Sequence, residues 1–202
     1  MERETLFKRR LSRHYDELKW LYCELYEGGA GYFEELCRMM EKRSRERDAK
    51  LKRLDKKREE DPGWYKRNDM VGMMMYTDAF AGTLKGVKKK LDYIEECGVR
   101  CLHLMPLLDS PEINNDGGYA VADFTKVKSR LGTMEDLKDL AEECHRRNIS
   151  VCLDFVMNHT SEEHEWAKRA RAGEKEYQDR YFFFDNWDIP SEYEKTCPQV
   201  FP

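Results

Sequence analysis

Residues 131–159 read LGTMEDLKDLAEECHRRNISVCLDFVMNH, and this stretch decides the fold class. The segment TMED at 133–136 resembles a helix capping box, and Leu137 and Leu140 then recur at the spacing of one buried helix face. The apolar run ISVCLDFV (149–156) follows at once and has the length of a strand. It is apolar throughout rather than alternating, which is typical of a parallel strand covered by helices.

The same alternation of strand and helix precedes this stretch. The runs MVGMMMY (70–76) and RCLHLMP (100–106) have strand length, and the segment 83–97 has the periodicity of a helix. With the helix 133–147, the order is strand, helix, strand, long loop, helix, strand, and each crossover has the size of a right-handed βαβ unit. A doubly wound sheet and a (β/α)8 barrel both fit this order. A dinucleotide-binding sheet would need G-x-G-x-x-G directly after a strand, and the sequence has none.

Before Pro62-Gly63 the pattern is helical throughout. Apolar residues recur at three- and four-residue steps from 7 to 25, glycines follow, and a second helix is predicted from 32 to 60, so the segment resembles an antiparallel helical pair. Residues 38–58 hold eleven basic side chains against four acidic ones. We interpret this run as a solvated helix face rather than a polyanion-binding surface, because no aromatic residues interleave with the charges.

Composition narrows the class of protein. The 202 residues carry 36 Lys and Arg against 40 Asp and Glu, a net charge of −4, which argues against a nucleic-acid partner. No apolar run approaches the ~20 residues of a membrane span, and the N-terminus lacks the apolar stretch of a secretory signal. The seven cysteines form no CxxC pair, so we expect reduced, mostly buried thiols in a cytoplasmic protein, and no zinc site.

Polar residues collect where the predicted second and third strands end. The long loop 107–132 contains Asp116 and Tyr119, and the third strand leads into Asp154, Asn158 and His159. Loops of this length are usually functional, and α/β sheets and barrels bind ligands at the carboxyl ends of their strands. We therefore expect the two groups of residues to converge on one pocket.

Residues 70–202 resemble the alpha-amylase superfamily of glycoside hydrolases and transglucosylases (glycoside hydrolase family thirteen). LDFVMNH (153–159) is similar to the family's Asp-x-x-x-Asn-His signature at the end of the third barrel strand, and GGYAVADF (117–124) to its Tyr-x-Val-x-Asp loop. Within the family, the sequence is most similar to amylosucrases. That resemblance rests on the helical N-terminal segment, on NDGGY at 115–119, and on the ending at 181–202, which is similar to the start of an inserted domain.

The resemblance implies an α/β fold: the first three βα units of a (β/α)8 TIM barrel, preceded by an all-α segment. We predict a helical segment at 1–66, the three βα units at 67–160, and the start of the inserted domain at 161–202. The implied partners are sucrose and α-glucan, in α-glucosyl transfer or glycoside hydrolysis by a retaining mechanism. No cofactor and no membrane partner are expected.

The family resemblance also implies roles for single residues. Tyr119 would stack its ring under the glucosyl ring, His159 would hydrogen-bond a sugar hydroxyl, and Asp116 would close the bottom of the pocket. Asp154 would orient its neighbours, and Asn158 lies at the position of a calcium ligand in many amylases. Amylosucrases are not known for that calcium, so no metal site is predicted.

The catalytic carboxylates of the family have no counterpart in these 202 residues. Retaining glycoside chemistry needs two carboxyl groups about 5 Å apart, and the family places them after strands four and five. No Gly-x-Arg-x-Asp segment follows the third predicted strand, so the resemblance implies that the nucleophile and the general acid lie beyond Pro202. We therefore assign no catalytic residue, and we expect the chain alone to be an N-terminal fragment that is poorly stable and inactive.

Other interpretations remain open at the level of the sequence. One alternative is a catalytically inactive carbohydrate-binding or assembly protein derived from the amylase fold. Another is an unrelated α/β domain with a helical arm. A helix is predicted to start at 160–163, directly after His159, so a purely structural role for His159 is one of these alternatives. The aromatic residues at 181–187 are predicted to belong to a core rather than to a sugar platform.

Overall fold

The computed structural model describes residues 5–196. Three predictions therefore fall outside the described residues: the reduced thiol of Cys197, the end of the 161–202 segment, and Pro202 as the point beyond which the catalytic carboxylates lie. The chain divides into two compact units, residues 1–66 and residues 67–202. Across residues 5–196, none of the helices is both long enough and apolar enough to cross a bilayer.

Helices make up the first unit, but they are shorter than the sequence predicted. Within residues 5–66 they are α1 (Leu6–Ser12), α2 (Tyr15–Leu25), α3 (Ala30–Glu46) and α4 (Ala49–Glu60), followed by a 3-10 turn (Trp64–Lys66). The predicted helix 32–60 breaks at Asp48, whose carboxylate accepts a hydrogen bond from the Lys50 N–H (2.7 Å) and caps α4. Aspartate favours this position because its side chain satisfies a free N–H at a helix start.

The core of the first unit is aromatic. Phe33 is fully buried, and the rings of Tyr15 and Tyr22 pack against it with centroids 5.3 and 5.8 Å away. The basic residues of α3 and α4 lie on the surface and pair with nearby acids, as Arg45 does with Glu41 at 2.7 Å. Such exposed pairs contribute little stability, and they agree with the interpretation of a solvated helix face.

Strands alternate with helices in the second unit, in the predicted order. Its elements are β1 (Val71–Met75), α5 (Thr77–Ala81), α6 (Leu84–Lys89), α7 (Leu91–Glu96), β2 (Val99–Leu104), β3 (Leu108–Asp109), β4 (Asp123–Val127), α8 (Met134–Arg146), β5 (Ser150–Leu153), α9 (Glu165–Arg171), α10 (Lys175–Gln178) and α11 (Asp188–Glu194). The strands β1, β2 and β5 form a parallel sheet in that order, with β2 in the centre. The three predicted strands and their parallel arrangement are thus confirmed.

One face of this sheet packs on helices. Its buried core contains Leu84, Val87, Leu91, Ile94, Leu102, Leu104, Leu140 and Ile149. The capping box of α8 is confirmed, since Thr133 Oγ1 accepts from the Asp136 N–H (3.2 Å) and Asp136 Oδ2 from the Thr133 N–H (3.1 Å). The predicted helix 83–97 is instead the pair α6 and α7, because the Lys90 N–H bonds to the Val87 carbonyl (2.9 Å) and tightens one turn.

The opposite face of the sheet is not covered within residues 5–196, whereas the uninterrupted apolar runs predicted strands that are buried on both sides. On that face, Met74 of β1 is 65% exposed, and Cys152 of β5 is exposed as well. The prediction of mostly buried thiols is also wrong, because only Cys37 and Cys144 are buried among the six cysteines described. Burial raises the pKa of the Cys144 thiol to about 11.

The aromatic segment 181–187 does not form a core, contrary to the prediction. Phe182 is 95% exposed, and Phe183, Phe184 and Trp187 are exposed as well. The Tyr181 ring is half-buried, and its hydroxyl lies 2.9 Å from Thr160 Oγ1. The segment lies between the short helices α10 and α11, so most of its rings lie at the surface of the described chain.

The long loop after β2 contains a short antiparallel hairpin, β3 with β4, that the sequence did not predict. Lys128 closes its base: its backbone N–H donates to the Leu107 carbonyl (2.8 Å), and its buried ammonium donates to the Pro111 carbonyl (3.1 Å) and to Ser110 Oγ (3.3 Å). A buried ammonium requires such partners, because burying an unpaired charge is costly. The loop is therefore fastened at its base and not only by its backbone ends.

Gly118 lets the middle of this loop pack closely on Pro106, two residues after the end of β2. A Cβ at Gly118 would lie 2.9 Å from Pro106 Cβ, at a φ of +97°. Gly173 offers a matched control, because its φ is +92° and a Cβ there would meet nothing within 4 Å. Both alanine variants bear the left-handed backbone cost, but only Gly118→Ala also meets a clash.

We predict that Gly118→Ala lowers the free energy of unfolding by about 1–3 kcal/mol more than Gly173→Ala does, the usual cost of overpacking. Urea unfolding of the two variants measures this difference. Equal losses would mean that the loop does not pack on Pro106 as described.

His164 caps α9 with a neutral imidazole. The ring is buried, its Nδ1 accepts a hydrogen bond from the Trp166 N–H (3.1 Å), and it packs against Phe124. Burial lowers the pKa of His164 below its ordinary 6.5, although the charges of Asp123 and Glu165 oppose that shift. The neutral form is the one that accepts from the backbone, so protonation removes the cap.

We predict that His164 destabilises the fold as the pH falls. The unfolded state binds the proton of His164 more tightly than the folded state does. The free energy of unfolding therefore begins to fall below about pH 6.5, and the fall is complete below the folded-state pKa of His164. His164→Asn keeps a capping oxygen but does not titrate. Urea unfolding at about pH 7.5 and about pH 5 should therefore show a smaller drop for His164→Asn than for the wild type. An identical drop would contradict the assignment.

Candidate functional site

The carboxyl ends of β1, β2 and β5 meet at one edge of the sheet, because the three strands are parallel. Tyr76 directly follows β1 and Asp154 directly follows β5, while His103 is the last residue but one of β2. The loop after β2 brings Tyr119 to the same edge. The polar side chains of four separate segments thus lie together at this edge.

The Asp154 carboxylate joins these segments. Its Oδ2 accepts a hydrogen bond from the Tyr119 hydroxyl (3.2 Å), and its Oδ1 lies 3.0 Å from His103 Nε2. A carboxylate oxygen accepts, so the imidazole donates from Nε2. Each oxygen of Asp154 therefore holds one partner, and the two partners come from different parts of the chain.

The strand geometry explains why His103 reaches Asp154. In β2 the flanking residues Leu102 and Leu104 are fully buried on the helix-covered face. Successive side chains of a strand alternate in direction, so His103 lies on the other face. Its neighbours in register are Met74 on β1 and Cys152 on β5, two residues before Asp154.

A sharp turn delivers Tyr119. Asp116, Gly117 and Gly118 have consecutive positive φ values of 48°, 64° and 97°, and they form a short 3-10 turn. The Asn115 carbonyl closes the turn by accepting from the Gly118 N–H (2.8 Å) and from the Ala120 N–H (3.0 Å). Three left-handed residues in succession are unusual outside such turns, and glycine at two of them lowers the cost.

The turn also packs on Tyr76. A Cβ at Gly117 would lie 3.3 Å from the Tyr76 hydroxyl oxygen, a tight contact that would push the hydroxyl aside by a few tenths of an ångström. Loss of solvation raises the pKa of Tyr119, and so do the charge of Asp154, its hydrogen bond, and the neighbouring Tyr76 and Asp116. Tyr119 is therefore a protonated donor at neutral pH.

The structure brings some of the predicted residues together and not others. Tyr119 and Asp154 are bonded, and Asp116 lies close enough to act on Tyr119 electrostatically. Asn158 and His159 are both exposed and bond to each other (Nδ2 to Nδ1, 3.1 Å). In the part of the chain that the structure describes, no hydrogen bond joins either residue to Tyr119 or Asp154.

Sequence reasoning missed His103 and Tyr76. A histidine inside the apolar run RCLHLMP was a usable signal, because a polar residue in a strand usually faces a site or solvent. Tyr76 ends the run MVGMMMY and was counted as part of the strand rather than as its polar end.

This edge carries groups that suit the binding of a polar ligand, and we call it the binding rim. Its groups are the aromatic ring of Tyr119, the carboxylate of Asp154, the imidazole of His103 and the phenol of Tyr76. Among residues 5–196, no group of three or more His, Cys, Asp or Glu side chains is arranged to hold a metal ion.

A family model for the alpha-amylase catalytic domain matches residues 43–201 of the chain. Among curated proteins, the chain is 40% identical over 121 residues to the oligo-1,6-glucosidase IMA5 of Saccharomyces cerevisiae, covering 60% of this chain and 20% of that protein. It is 40% identical over 134 residues to the trehalose synthase/amylase TreS of Mycolicibacterium smegmatis, covering 63% and 22%. The chain thus spans about a fifth of the length of these relatives.

Solved structures give the same result. The trehalulose synthase MutB of Pseudomonas mesoacidophila matches with a TM-score of 0.55 and 34% identity, over 62% of this chain and 23% of that one. The trehalose-6-phosphate hydrolase TreA of Bacillus licheniformis matches with a TM-score of 0.53 and 38% identity, over 58% and 22%. The family model covers more than three quarters of the chain, and a strand-end rim of this kind is where such folds bind their ligands. The chain therefore belongs to the alpha-amylase family and carries part of its catalytic domain.

Proposed function

We propose that this chain supplies the glucosyl-binding rim of an enzyme that acts on α-glucosides by a retaining mechanism. The observation that carries the proposal is the hydrogen bond from Tyr119 to Asp154, which ties the loop after β2 to the end of β5. It gives the rim an aromatic ring of fixed position beside a carboxylate. Substrate pockets commonly pair an apolar wall with a few placed polar groups in this way.

Sugar recognition suits the chemistry of these groups. The C–H face of a pyranose packs on an aromatic ring, while its hydroxyls need donors and acceptors around the rim. The Tyr119 hydroxyl is already occupied by Asp154, so the ring is held in place by its polar end. In the proposed assignment, Asp116 closes the pocket below the sugar and His159 bonds a sugar hydroxyl, with Asn158 as a supporting residue.

For the substrate, we propose sucrose together with α-glucan, as in amylosucrases. One MutB structure similar to this chain is a complex with sucrose, and another contains glucose. The all-helical first unit and the NDGGY turn at 115–119 are the features that favour an amylosucrase-like enzyme over an α-1,6-glucosidase.

The same proposal accounts for the open sheet. In the complete enzyme, the open face that carries Met74, His103 and Cys152 would line a (β/α)8 barrel, of which residues 67–160 supply the first three units. Residues 161–202 would begin an inserted domain, and 1–66 would be a separate helical domain. Free thiols in a site-bearing strand are compatible with a cytoplasmic enzyme.

The nucleophile and the general acid would come from residues beyond Pro202. The alternative of a catalytically inactive carbohydrate-binding protein is not favoured, because the relatives are named for hydrolase or synthase activities. The alternative of an unrelated α/β domain is excluded by the family match.

We predict that the full-length protein carrying this chain releases fructose from sucrose and transfers the glucosyl unit to an added α-1,4-glucan, which becomes longer. Sucrose, isomaltose and trehalose are compared at equal concentration, with released sugars and glucan length as readouts. The 202-residue chain alone is the negative arm and should turn over none of them. Preferential cleavage of isomaltose or trehalose would reject the amylosucrase assignment. Turnover by the chain alone would reject the proposal that the nucleophile and the general acid lie beyond Pro202.

We also predict that Tyr119→Ala and His159→Ala each lower kcat/KM by about a hundredfold or more, since the proposed contacts would strengthen in the transition state. His145→Ala is the matched control, because His145 is exposed on α8 and should leave turnover unchanged. Wild-type turnover in either site variant would remove that residue from the rim.

A further inference from the structure

We infer that His103 is a positioning residue, which fixes the Asp154 carboxylate and, through it, the ring of Tyr119. The kinetic part of this inference rests on the proposed function, but the hydrogen-bond chain itself does not. The observation is the pair of contacts on Asp154, His103 Nε2 at 3.0 Å and the Tyr119 hydroxyl at 3.2 Å.

His103 is the best-anchored member of the chain. It lies on β2, the central strand, and pairs in register with Met74 on one side and Cys152 on the other. Its backbone is therefore held from both sides, and the packing of Leu102 and Leu104 in the core fixes the direction of its side chain.

Asp154 and Tyr119 lack this support. Asp154 is the first residue after β5, and the next residue, Phe155, is 63% exposed. Tyr119 follows a turn of three left-handed residues in the loop. Without His103, Asp154 keeps only its hydrogen bond from Tyr119, and any rotation that moves Oδ1 also moves Oδ2, the acceptor of Tyr119.

The His103–Asp154 pair is partly shielded from water, with side-chain exposures of 32% and 23%. A hydrogen bond to a carboxylate is strong, and partial shielding strengthens it further. The bond requires the proton on Nε2, which leaves Nδ1 as the unprotonated nitrogen of the neutral ring. The hydrogen bond to Asp154 therefore selects the Nε2–H tautomer of His103, as a carboxylate partner does for other histidines.

Two amide substitutions isolate the hydrogen bond from the bulk of the ring. In His103→Gln, the amide nitrogen reaches the place of Nε2 and can still donate to Asp154. In His103→Asn, the shorter side chain stops near the place of Nδ1 and cannot. We expect His103→Gln to stay near wild-type kcat/KM and His103→Asn to lose about tenfold to a hundredfold, the usual effect of removing a partner that orients a site residue.

Coupling to Tyr119 distinguishes positioning from a general structural role. Tyr119→Phe keeps the ring but removes its bond to Asp154. If His103 acts through that bond, His103→Asn and Tyr119→Phe together lose no more than the worse single variant. Losses that multiply, or equal losses in His103→Gln and His103→Asn, would overturn the inference.

A spectroscopic measurement separates this inference from the proposed function. Ring-nitrogen NMR of the full-length protein at about pH 8 should show His103 protonated at Nε2, with the signal assigned by its loss in His103→Gln. A ring that carries a proton on Nδ1 and none on Nε2 would overturn the inference whatever the substrate is. An Nε2-protonated ring in a full-length protein that cleaves no α-glucoside would instead reject the proposed function and leave the hydrogen-bond chain standing.

Discussion

The site depends on one carboxylate that is shared between two partners. Asp154 can be shared only because β2 and β5 run parallel and in register, with His103 opposite Cys152 and Asp154 two residues farther along. A shift of one residue in that register would turn His103 toward the helices and bury the imidazole among leucines. The apolar packing of the strands thus decides whether the polar groups can meet at all.

The loop that brings Tyr119 to Asp154 is held in place by a different set of contacts. It has little regular structure, yet Gly118 contacts Pro106, Gly117 leaves room for the Tyr76 hydroxyl, and the Lys128 ammonium closes the base. Each contact is local and specific to a side chain or to its absence. A loop held at its tip and its base places a ring more accurately than its lack of secondary structure suggests.

Much of this arrangement could be predicted from the sequence, and the failures have physical causes. Strand length and helix periodicity predicted the parallel sheet and the capping box of α8, because these depend on local pattern. The hairpin of β3 with β4 was missed, since a strand of two residues has no periodicity. Tyr119 and Asp154 were predicted through motif resemblance and do meet. Their link to His103 could not be predicted, because it depends on the register of two strands that lie about fifty residues apart in the chain.

The predicted burial failed where the sheet meets no helix, and that failure is informative. Met74 is as apolar as the residues on the covered face, yet it is 65% exposed within the described chain, and Cys152 on the same face is exposed too. A continuous apolar run is expected where a strand is buried on both sides. The binding rim and this open face belong to the same side of the sheet, since His103 alternates with the buried leucines. A segment that covered this face would therefore also cover the imidazole of His103, and with it the hydrogen bond that His103 makes to Asp154.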